Sequence, residues 1–159
     1  MVLGNKNKKR YILIIGGNMK KNYKLLILFI LLPIVLGGIV GLLTVRDSNI
    51  DSIIPAWIFP VVWTILYTLM GISSYRVYMI SDKILSIYII QLIINYSWVF
   101  IFFTFKNFIL AFLVIILLII LVFIMIRKYL SIDKLSGYLQ IPYFIWLFVA
   151  LYLNLMFII

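Results

Sequence analysis

The chain has 159 residues, of which 67% are hydrophobic and only 11% are charged. Soluble domains contain roughly 45–50% apolar and about 25% charged residues, so this composition excludes an ordinary soluble domain and predicts an integral membrane protein. One spanning helix needs about 20 apolar residues, which leaves room in these 159 residues for some five or six crossings.

The residue types that are absent exclude several classes of site. The sequence contains no cysteine and no histidine, which excludes disulfides and the common nitrogen and sulfur metal sites, and no cofactor is expected. The four acidic residues all fall in predicted connecting segments: Asp47, Asp51, Asp82 and Asp133. Ion-coupled transport and paired-carboxylate hydrolysis therefore lack their usual residues inside the membrane.

The first nineteen residues allow two interpretations. They contain a basic cluster and an apolar run, residues 11–15, that is too short to span a membrane. The segment is either a basic cytoplasmic tail or sequence upstream of the true start, since residues 16–21 read Gly-Gly-Asn-Met-Lys-Lys and resemble a translated ribosome-binding site followed by an initiator at Met19. We therefore divide the chain into a basic segment, residues 1–19, and a transmembrane domain, residues 20–159.

The first span is predicted over residues 25–45, an apolar run much longer than the core of a signal peptide. Gly37 and Gly41 in this span stand at GxxxG spacing, which lets another helix approach closely. That other helix belongs either to the same chain or to a second copy in a homodimer, because the motif alone does not distinguish the two.

Three of the later spans carry aromatic and polar residues at spacings of three and four, which places them on one helical face. They are predicted over residues 57–79, 84–105 and 138–159. The three stripes are Trp57, Pro60, Trp63, Thr64, Tyr67 and Gly71; Gln91, Asn95, Trp98 and Phe102; and Pro142, Tyr143, Trp146, Ala150 and Asn154. The fourth span, residues 108–126, is almost uniformly apolar and suits contact with membrane lipid.

The basic residues predict the orientation of the spans. Twelve of the 14 lysines and arginines fall on one side of the membrane, and Arg46 and Lys106 fall on the other. Basic loops remain cytoplasmic, so we expect a protein of the cell membrane with a cytoplasmic N-terminus and an external C-terminus. The same placement explains the net charge of +10 without a nucleic-acid partner.

With this orientation the three stripes reach one depth, about 9–14 Å below the external face at 1.5 Å of rise per residue. An interfacial belt places tryptophans at span ends, which suits Trp57 but not Trp63, Trp98 or Trp146. A single aromatic or amide side chain in a helix bundle is as often explained by packing alone. Three stripes at one depth instead favour an uncharged aromatic pocket for a large flat guest.

The motifs on these stripes resemble the TspO/translocator protein family, also called tryptophan-rich sensory proteins or peripheral-type benzodiazepine receptors. Residues 55–71 read Pro-x-Trp-x-Phe-Pro-x-Val-Trp-Thr-x-Leu-Tyr-x-x-Met-Gly, residues 91–103 read Gln-Leu-x-x-Asn-x-x-Trp-x-x-x-Phe-Phe, and residues 142–154 read Pro-Tyr-x-x-Trp-x-x-x-Ala-x-x-Leu-Asn. The resemblance covers all five predicted spans.

The resemblance implies an all-α, five-helix transmembrane bundle, commonly dimeric, that binds porphyrins, haem-like tetrapyrroles or other flat aromatic compounds. Carried over by position, its pocket residues are Trp57, Trp63, Asn95, Trp98, Trp146, Ala150 and Leu153. The stripes add Tyr67 and Asn154 to this ligand-binding set. By the resemblance, Trp63 and Trp146 match two tryptophans that are linked to light-dependent porphyrin breakdown in bacterial members of the family. They are therefore the catalytic candidates if the chain degrades porphyrin.

Two departures from the family pattern concern the ligand. The Lys-Pro-x-Trp-x-Pro-Pro segment of the first loop is reduced here to Pro55-Ala56-Trp57 after a shortened loop, which leaves less chain to cover the pocket. The cholesterol motif of the animal proteins needs a basic residue after a tyrosine, but none follows Tyr152, so sterol binding is unsupported.

Three functions remain open on the sequence. The first is a tetrapyrrole-binding sensor, scavenger or carrier, which needs only the pocket. The second is a light-dependent porphyrin-degrading catalyst, which also needs Trp63 and Trp146 close to the ring. The alternative is a small transporter or channel for hydrophobic compounds, which needs a polar route, and the inner half offers few polar residues besides Ser73, Ser74 and Ser86.

The charge asymmetry gives a testable topology. We expect a cysteine introduced by Ser131→Cys to resist membrane-impermeant thiol reagents in intact cells, and Ser48→Cys to react, because the fourth loop is cytoplasmic and the first external. Labelling at position 131 without labelling at position 48 would show that the orientation is the opposite of the predicted one.

Overall fold

The structure is a computed structural model that describes residues 22–44 and 55–159. Within these residues, five helical segments are long and apolar enough to cross a membrane, which confirms the expected all-α bundle. The basic segment before residue 20 and most of the first loop, with Arg46, Asp47 and Asp51, lie outside the described residues.

The first three spans agree with the predicted ones to within a few residues. Helix α1 is Tyr23–Thr44 and helix α2 is Ile58–Ile80. A 3-10 turn, Asp82–Ile84, leads into helix α3, Leu85–Val99, which continues as a π-helical turn, Phe100–Thr104. Because that turn reaches to residue 104, the third span is about as long as the sequence indicated.

The last two spans begin earlier or end later than predicted. Helix α4, Phe108–Leu130, extends one turn beyond residue 126 and includes two basic residues in its last turn. Its first turn is capped by Asn107, whose Oδ1 accepts from the Leu110 amide at 3.0 Å. The fifth span, Lys134–Leu155, consists of helices α5, Lys134–Leu139, and α6, Ile141–Leu155, with Gln140 between them.

The two ends of the bundle are named here after the residues that cap α4 and α5. At the Asn107 end α1 finishes, α2 begins and α6 finishes. At the Asp133 end α1 begins, α2 finishes and α5 begins. If the predicted orientation holds, the Asn107 end is external.

Helices α1 and α2 pack closely because of two glycines. A Cβ added to Gly71 would collide with the main chain of α1 at Phe29 and Ile30, so only glycine fits this crossing. A Cβ added to Gly37 would enter the ring of Tyr67 on α2, whereas Gly41 has nothing within 4 Å. Of the two glycines in the GxxxG motif, Gly37 therefore packs against a helix of its own chain.

Pro33 in the middle of α1 creates a hydrogen-bonding demand that α3 satisfies. Proline has no amide hydrogen, so the carbonyl four residues before it, on Phe29, loses its helical donor. The hydroxyl of Tyr88 donates to that carbonyl at 3.1 Å, and the hydroxyl of Tyr96 donates to the carbonyl of Pro33 at 2.9 Å. Two tyrosines on α3 thus hold α1 at its proline.

An ion pair joins α2 to the start of α5 at the Asp133 end. Arg76 Nε and Nη2 donate to the two carboxylate oxygens of Asp133 at 2.8 and 3.2 Å. Asp133 also caps α5, because its Oδ2 accepts from the amide and hydroxyl of Ser136. Asp133 lies between α4 and α5, in a connecting segment as the sequence predicts, but it is buried.

The same half of the bundle contains more buried polar groups than the sequence suggested. Ser73 donates to the Ser136 carbonyl at 2.8 Å and accepts from Gln140 Nε2 at 3.1 Å. Ser74 and the Tyr129 hydroxyl form a bond of 2.9 Å. Tyr129, just beyond the predicted fourth span, and Gln140, near the start of the predicted fifth, thus add to the serines that the sequence indicated for this half.

Gly71→Ala tests the α1–α2 crossing. We expect a loss of roughly 1–3 kcal/mol in unfolding free energy, because the methyl group forces the backbones apart. Gly41→Ala is the matched control, since it adds a methyl group into open space and removes a helical glycine, a change worth up to about 1 kcal/mol in favour of the helix. Thermal unfolding in detergent measures both. Equal effects of the two substitutions would contradict the close crossing.

Asp133 predicts a pH dependence of stability. Burial opposes ionisation of its carboxyl, but hydrogen bonds and charge from Arg76 and Ser136 outweigh burial and lower the pKa of Asp133. The resulting stabilisation is present above the usual aspartate pKa of about 3.9 and is lost as pH falls below it.

The variant Asp133→Asn separates this charge from the cap, because asparagine still caps a helix. We expect it to cost no more than about 1–2 kcal/mol at pH 7 and to flatten the fall in unfolding temperature between about pH 5 and pH 3. Asp82→Asn, at an exposed aspartate, is the control. An unchanged acid profile in Asp133→Asn would mean that the ion pair contributes nothing.

Candidate aromatic binding site

Five aromatic side chains meet where α2 and α6 face each other in the half of the bundle nearer the Asn107 end. We call Phe59, Trp63, Tyr67, Tyr143 and Trp146 the aromatic cluster. Trp63 lies 5.2 Å from Tyr67 and 6.2 Å from Tyr143 between ring centroids, and Trp146 meets Phe59 edge to face at 6.3 Å. Both indoles are only partly buried, so part of each ring lies at the surface of the described bundle.

The spacing of these residues explains why they converge. Phe59, Trp63 and Tyr67 recur every four residues on α2, and Tyr143 and Trp146 are three apart on α6, so each set occupies one helical face. Aromatic pairs at these separations favour tilted and edge-to-face packing. The facing stripes predicted from the sequence therefore make two ring contacts between α2 and α6, Phe59 with Trp146 and Trp63 with Tyr143.

A chain of hydrogen bonds lies beneath the cluster and connects α2, α3 and α6. The Tyr67 hydroxyl donates to Asn95 Oδ1 at 2.9 Å, and Asn95 Nδ2 donates to the Tyr143 hydroxyl at 3.2 Å. Tyr143 in turn donates to Gln91 Oε1 at 3.1 Å, and Gln91 Nε2 donates to the sulfur of Met70. We call this series the buried amide chain.

Every member of the buried amide chain is withdrawn from the surface. Gln91, Asn95 and Met70 have no exposed area, and Tyr143 and Tyr67 retain 1% and 5%. The two polar atoms of the Asn95 amide are both bonded to tyrosine hydroxyls. The chain is uncharged and internally satisfied, as a low-dielectric interior requires.

A second group of predicted site residues lies closer to the Asn107 end. Trp98 Nε1 donates to Asn154 Oδ1 at 3.4 Å, and Asn154 Nδ2 donates to the Phe108 carbonyl at 2.9 Å. Trp98 also stacks on Phe102 at 5.3 Å. These contacts connect α3, α4 and α6, and no contact described here joins Trp98 to Trp63.

The remaining predicted site residues differ in burial. Ala150 is buried on α6 one turn from Trp146, and Leu153 is partly buried. Trp57 precedes α2 and has 68% of its surface exposed, as expected of an interfacial tryptophan. In the described residues no ring-to-ring contact joins Trp57 to the aromatic cluster.

The sequence prediction omitted three residues from the candidate site. Tyr143 and Gln91 stood on the predicted stripes but not among the binding residues, although a fully buried amide or phenol needs a partner. Phe59 lies one turn before Trp63, and its helical spacing was the signal that could have identified it.

The site has no charge and no metal ligands. Among the described residues, no group of three or more acidic, histidine or cysteine side chains could hold a metal ion. At the Asn107 end, the one charged side chain in the described part is Lys106, which adopts a positive φ of 50° beside an open cleft of about 410 Å³. The cleft is lined by Phe105, Lys106, Asn107, Phe108, Ile109, Phe157 and Ile158, and none of these was predicted as a site residue.

Comparison with known proteins identifies relatives of the chain. A sequence profile of the TspO/MBR family matches residues 29–159. Protein CrtK of Rhodobacter capsulatus is 38% identical over 106 residues, which cover 63% of this chain and 66% of that protein.

Two further relatives carry names of the same kind. The tryptophan-rich sensory protein of Cereibacter sphaeroides is 34% identical over 102 residues, covering 63% of this chain and 65% of that protein. The tryptophan-rich protein TspO of Chlorobaculum tepidum is 30% identical over 106 residues, covering 63% and 67%. The aligned part thus spans just under two thirds of the first two relatives. The profile match over residues 29–159, the five apolar helices and these relatives show that the chain belongs to the TspO/MBR family.

Proposed function

We propose that the chain binds a flat aromatic tetrapyrrole, a porphyrin or haem-like ring, between α2 and α6 and acts as a sensor, scavenger or carrier. The observation that carries the proposal is the pair of partly buried indoles, Trp63 on α2 and Trp146 on α6, each in ring contact with the other helix. Indoles at this depth are not explained by an interfacial belt, and a flat aromatic group is the guest that their exposed part suits best.

The absence of charge in the described part of the site favours the ring itself as the recognised feature. The buried amide chain has its polar groups occupied, and Lys106 is the one charged side chain described at that end of the bundle. An apolar macrocycle would therefore stack on the indoles, and any carboxylates that it carries would point towards the Asn107 end. The name of the Cereibacter relative, a tryptophan-rich sensory protein, supports a sensing role.

Light-dependent breakdown of the ring is a further part of the proposal. An excited porphyrin is a strong oxidant, and indole loses an electron far more readily than benzene does. Trp63 or Trp146 would give one electron to an excited ring stacked on it, leaving an indole radical cation and a porphyrin radical anion, and dissolved dioxygen would be the oxidant that reacts with the reduced ring and opens it. Binding needs an apolar ring at these positions, whereas breakdown needs an oxidisable one.

A transporter of hydrophobic compounds is the second candidate, and one observation favours it. Ser73, Ser136 and Gln140 form a buried polar group in the Asp133 half, where the sequence suggested few. Met70, Val77 and Leu147 are fully or almost fully buried along the same helices, so a continuous polar route would require the bundle to open. Net movement of porphyrin across a vesicle membrane that contains the chain would favour transport over binding.

Orientation and assembly are also proposals. The charge asymmetry supports a cytoplasmic Asp133 end. If two copies form a homodimer, we expect the contact on the side of α1 that carries Gly38 and Gly41, because nothing lies within 4 Å of a Cβ added there. Gly37 is not available for that contact, because Tyr67 of its own chain covers it.

Substitution of the two indoles tests binding and breakdown separately. Trp63→Phe and Trp146→Phe keep an apolar ring and lose only stacking strength, about 0.5–1.5 kcal/mol, so we expect protoporphyrin affinity to fall by no more than about tenfold. Breakdown in light should be slower in each single variant and abolished in the double variant Trp63→Phe/Trp146→Phe. Quenching of tryptophan fluorescence measures binding, and loss of porphyrin absorbance under illumination measures breakdown.

Trp57→Phe is the matched control, because Trp57 is exposed and outside the cluster. It should leave binding and breakdown close to those of the unsubstituted protein. If the double variant Trp63→Phe/Trp146→Phe breaks down porphyrin as fast as the unsubstituted protein, the protein is only a binding module. If micromolar porphyrin does not quench tryptophan fluorescence, the pocket hypothesis is wrong.

A further inference from the structure

We propose that Gln91, Asn95 and Tyr143 are positioning residues, which do not contact the ligand but fix Tyr67 and, through it, the indole of Trp63. The proposal rests on the proposed function, since Trp63 is the residue whose face would receive the ring. It assigns Asn95 a role different from the direct ligand contact that the family resemblance implies, and it adds two residues to the site.

The bonding of Asn95 is the first reason. Its Oδ1 accepts from Tyr67 and its Nδ2 donates to Tyr143, and the residue has no exposed area. The amide has no exposed area, so a ligand could reach it only by displacing the tyrosines around it, and a displaced hydroxyl would leave a buried polar group without a partner. Asn95 therefore connects α2 to α6 from a position that a ligand does not reach.

The direction of the hydrogen bonds is the second reason. Tyr143 accepts from Asn95, so its own hydrogen is free to point to Gln91 Oε1, and Gln91 uses its amide hydrogens towards Met70. Each bond thus fixes the donor direction of the next group along the buried amide chain. Reversal of any one bond would place two donors or two acceptors face to face.

The contacts around Tyr67 fix its ring and, through the ring, the position of Trp63. Asn95 holds the hydroxyl of Tyr67, Gly37 leaves no room on one side of its ring, and Tyr96 meets the ring edge to face at 6.0 Å. Trp63 packs on the remaining side at 5.2 Å, tilted by 32°. Its second neighbour in the cluster, Tyr143, belongs to the same chain of hydrogen bonds. Both aromatic contacts of Trp63 therefore end in the buried amide chain.

Fluorine NMR tests the proposal without any ligand. Protein labelled with 5-fluorotryptophan has four tryptophans to report, and Trp63→Phe and Trp57→Phe identify two of the signals by their loss. We expect Gln91→Met, Tyr143→Phe and Tyr67→Phe to move or broaden the Trp63 signal and to leave the Trp57 signal in place. Tyr67→Phe removes one hydroxyl and keeps every ring, so it serves if the other two variants do not fold.

Ser97→Ala is the matched control on the same helix. Ser97 is exposed, lies two residues from Asn95 and bonds only to the carbonyl of Ile93 in its own helix. It should leave the Trp63 signal unchanged. A Trp63 signal that stays in place in the folded Gln91, Tyr143 and Tyr67 variants would overturn the proposal, even if those variants unfold at lower temperature.

Titration of the same samples with protoporphyrin then connects position to function. Displacement of Trp63 should weaken affinity by about three- to tenfold, no more than the loss of its indole in Trp63→Phe. Weaker binding with an unmoved Trp63 signal would mean that the buried amide chain contacts the ligand directly, and this result would also overturn the proposal. Absence of binding in the unsubstituted protein would refute the proposed function alone. The fluorine signals would still decide whether the buried amide chain positions Trp63.

Discussion

The hydrocarbon core of a membrane contains no water, so every polar group placed there must find its partner inside the protein. This constraint governs the interior of the bundle. Tyr67, Asn95, Tyr143 and Gln91 satisfy one another in a directed series across α2, α3 and α6. Trp63 of the aromatic cluster contacts two tyrosines of this series, so under the proposed function the geometry offered to a ligand would follow from bonds that the ligand does not touch.

The same constraint explains the position of α1, which has few buried residues. Pro33 leaves the Phe29 carbonyl without its helical donor, and Tyr88 of α3 supplies one. This bond holds α1 against α3, and Gly71 of α2, which has no side chain, lets α1 cross α2 closely at the same level. Proline on one helix, glycine on the second and tyrosine on the third thus form one structural unit, and Tyr67 packs against the same helix one level away, beside Gly37.

Periodicity in the sequence was sufficient to predict the five spans and the faces that carry Trp63, Asn95 and Trp146. It could not give the partners, because a helical stripe defines a direction and not the residue opposite. The occupied amide of Asn95 and the bond from Tyr88 to Phe29 both depend on where the helices cross. Asp133 was placed in an open loop for a similar reason: its burial comes from Arg76, 57 residues away along the chain.

Absorption spectroscopy of the porphyrin measures the central claim most directly. The chain, reconstituted in lipid nanodiscs, is titrated with protoporphyrin, haem and coproporphyrin, and the Soret band is followed against empty nanodiscs. An uncharged aromatic site predicts a saturable shift at micromolar concentration and one ring per chain, weaker for coproporphyrin because it carries more carboxylates. A shift that never saturates, or that empty nanodiscs reproduce, would contradict a tetrapyrrole site between α2 and α6.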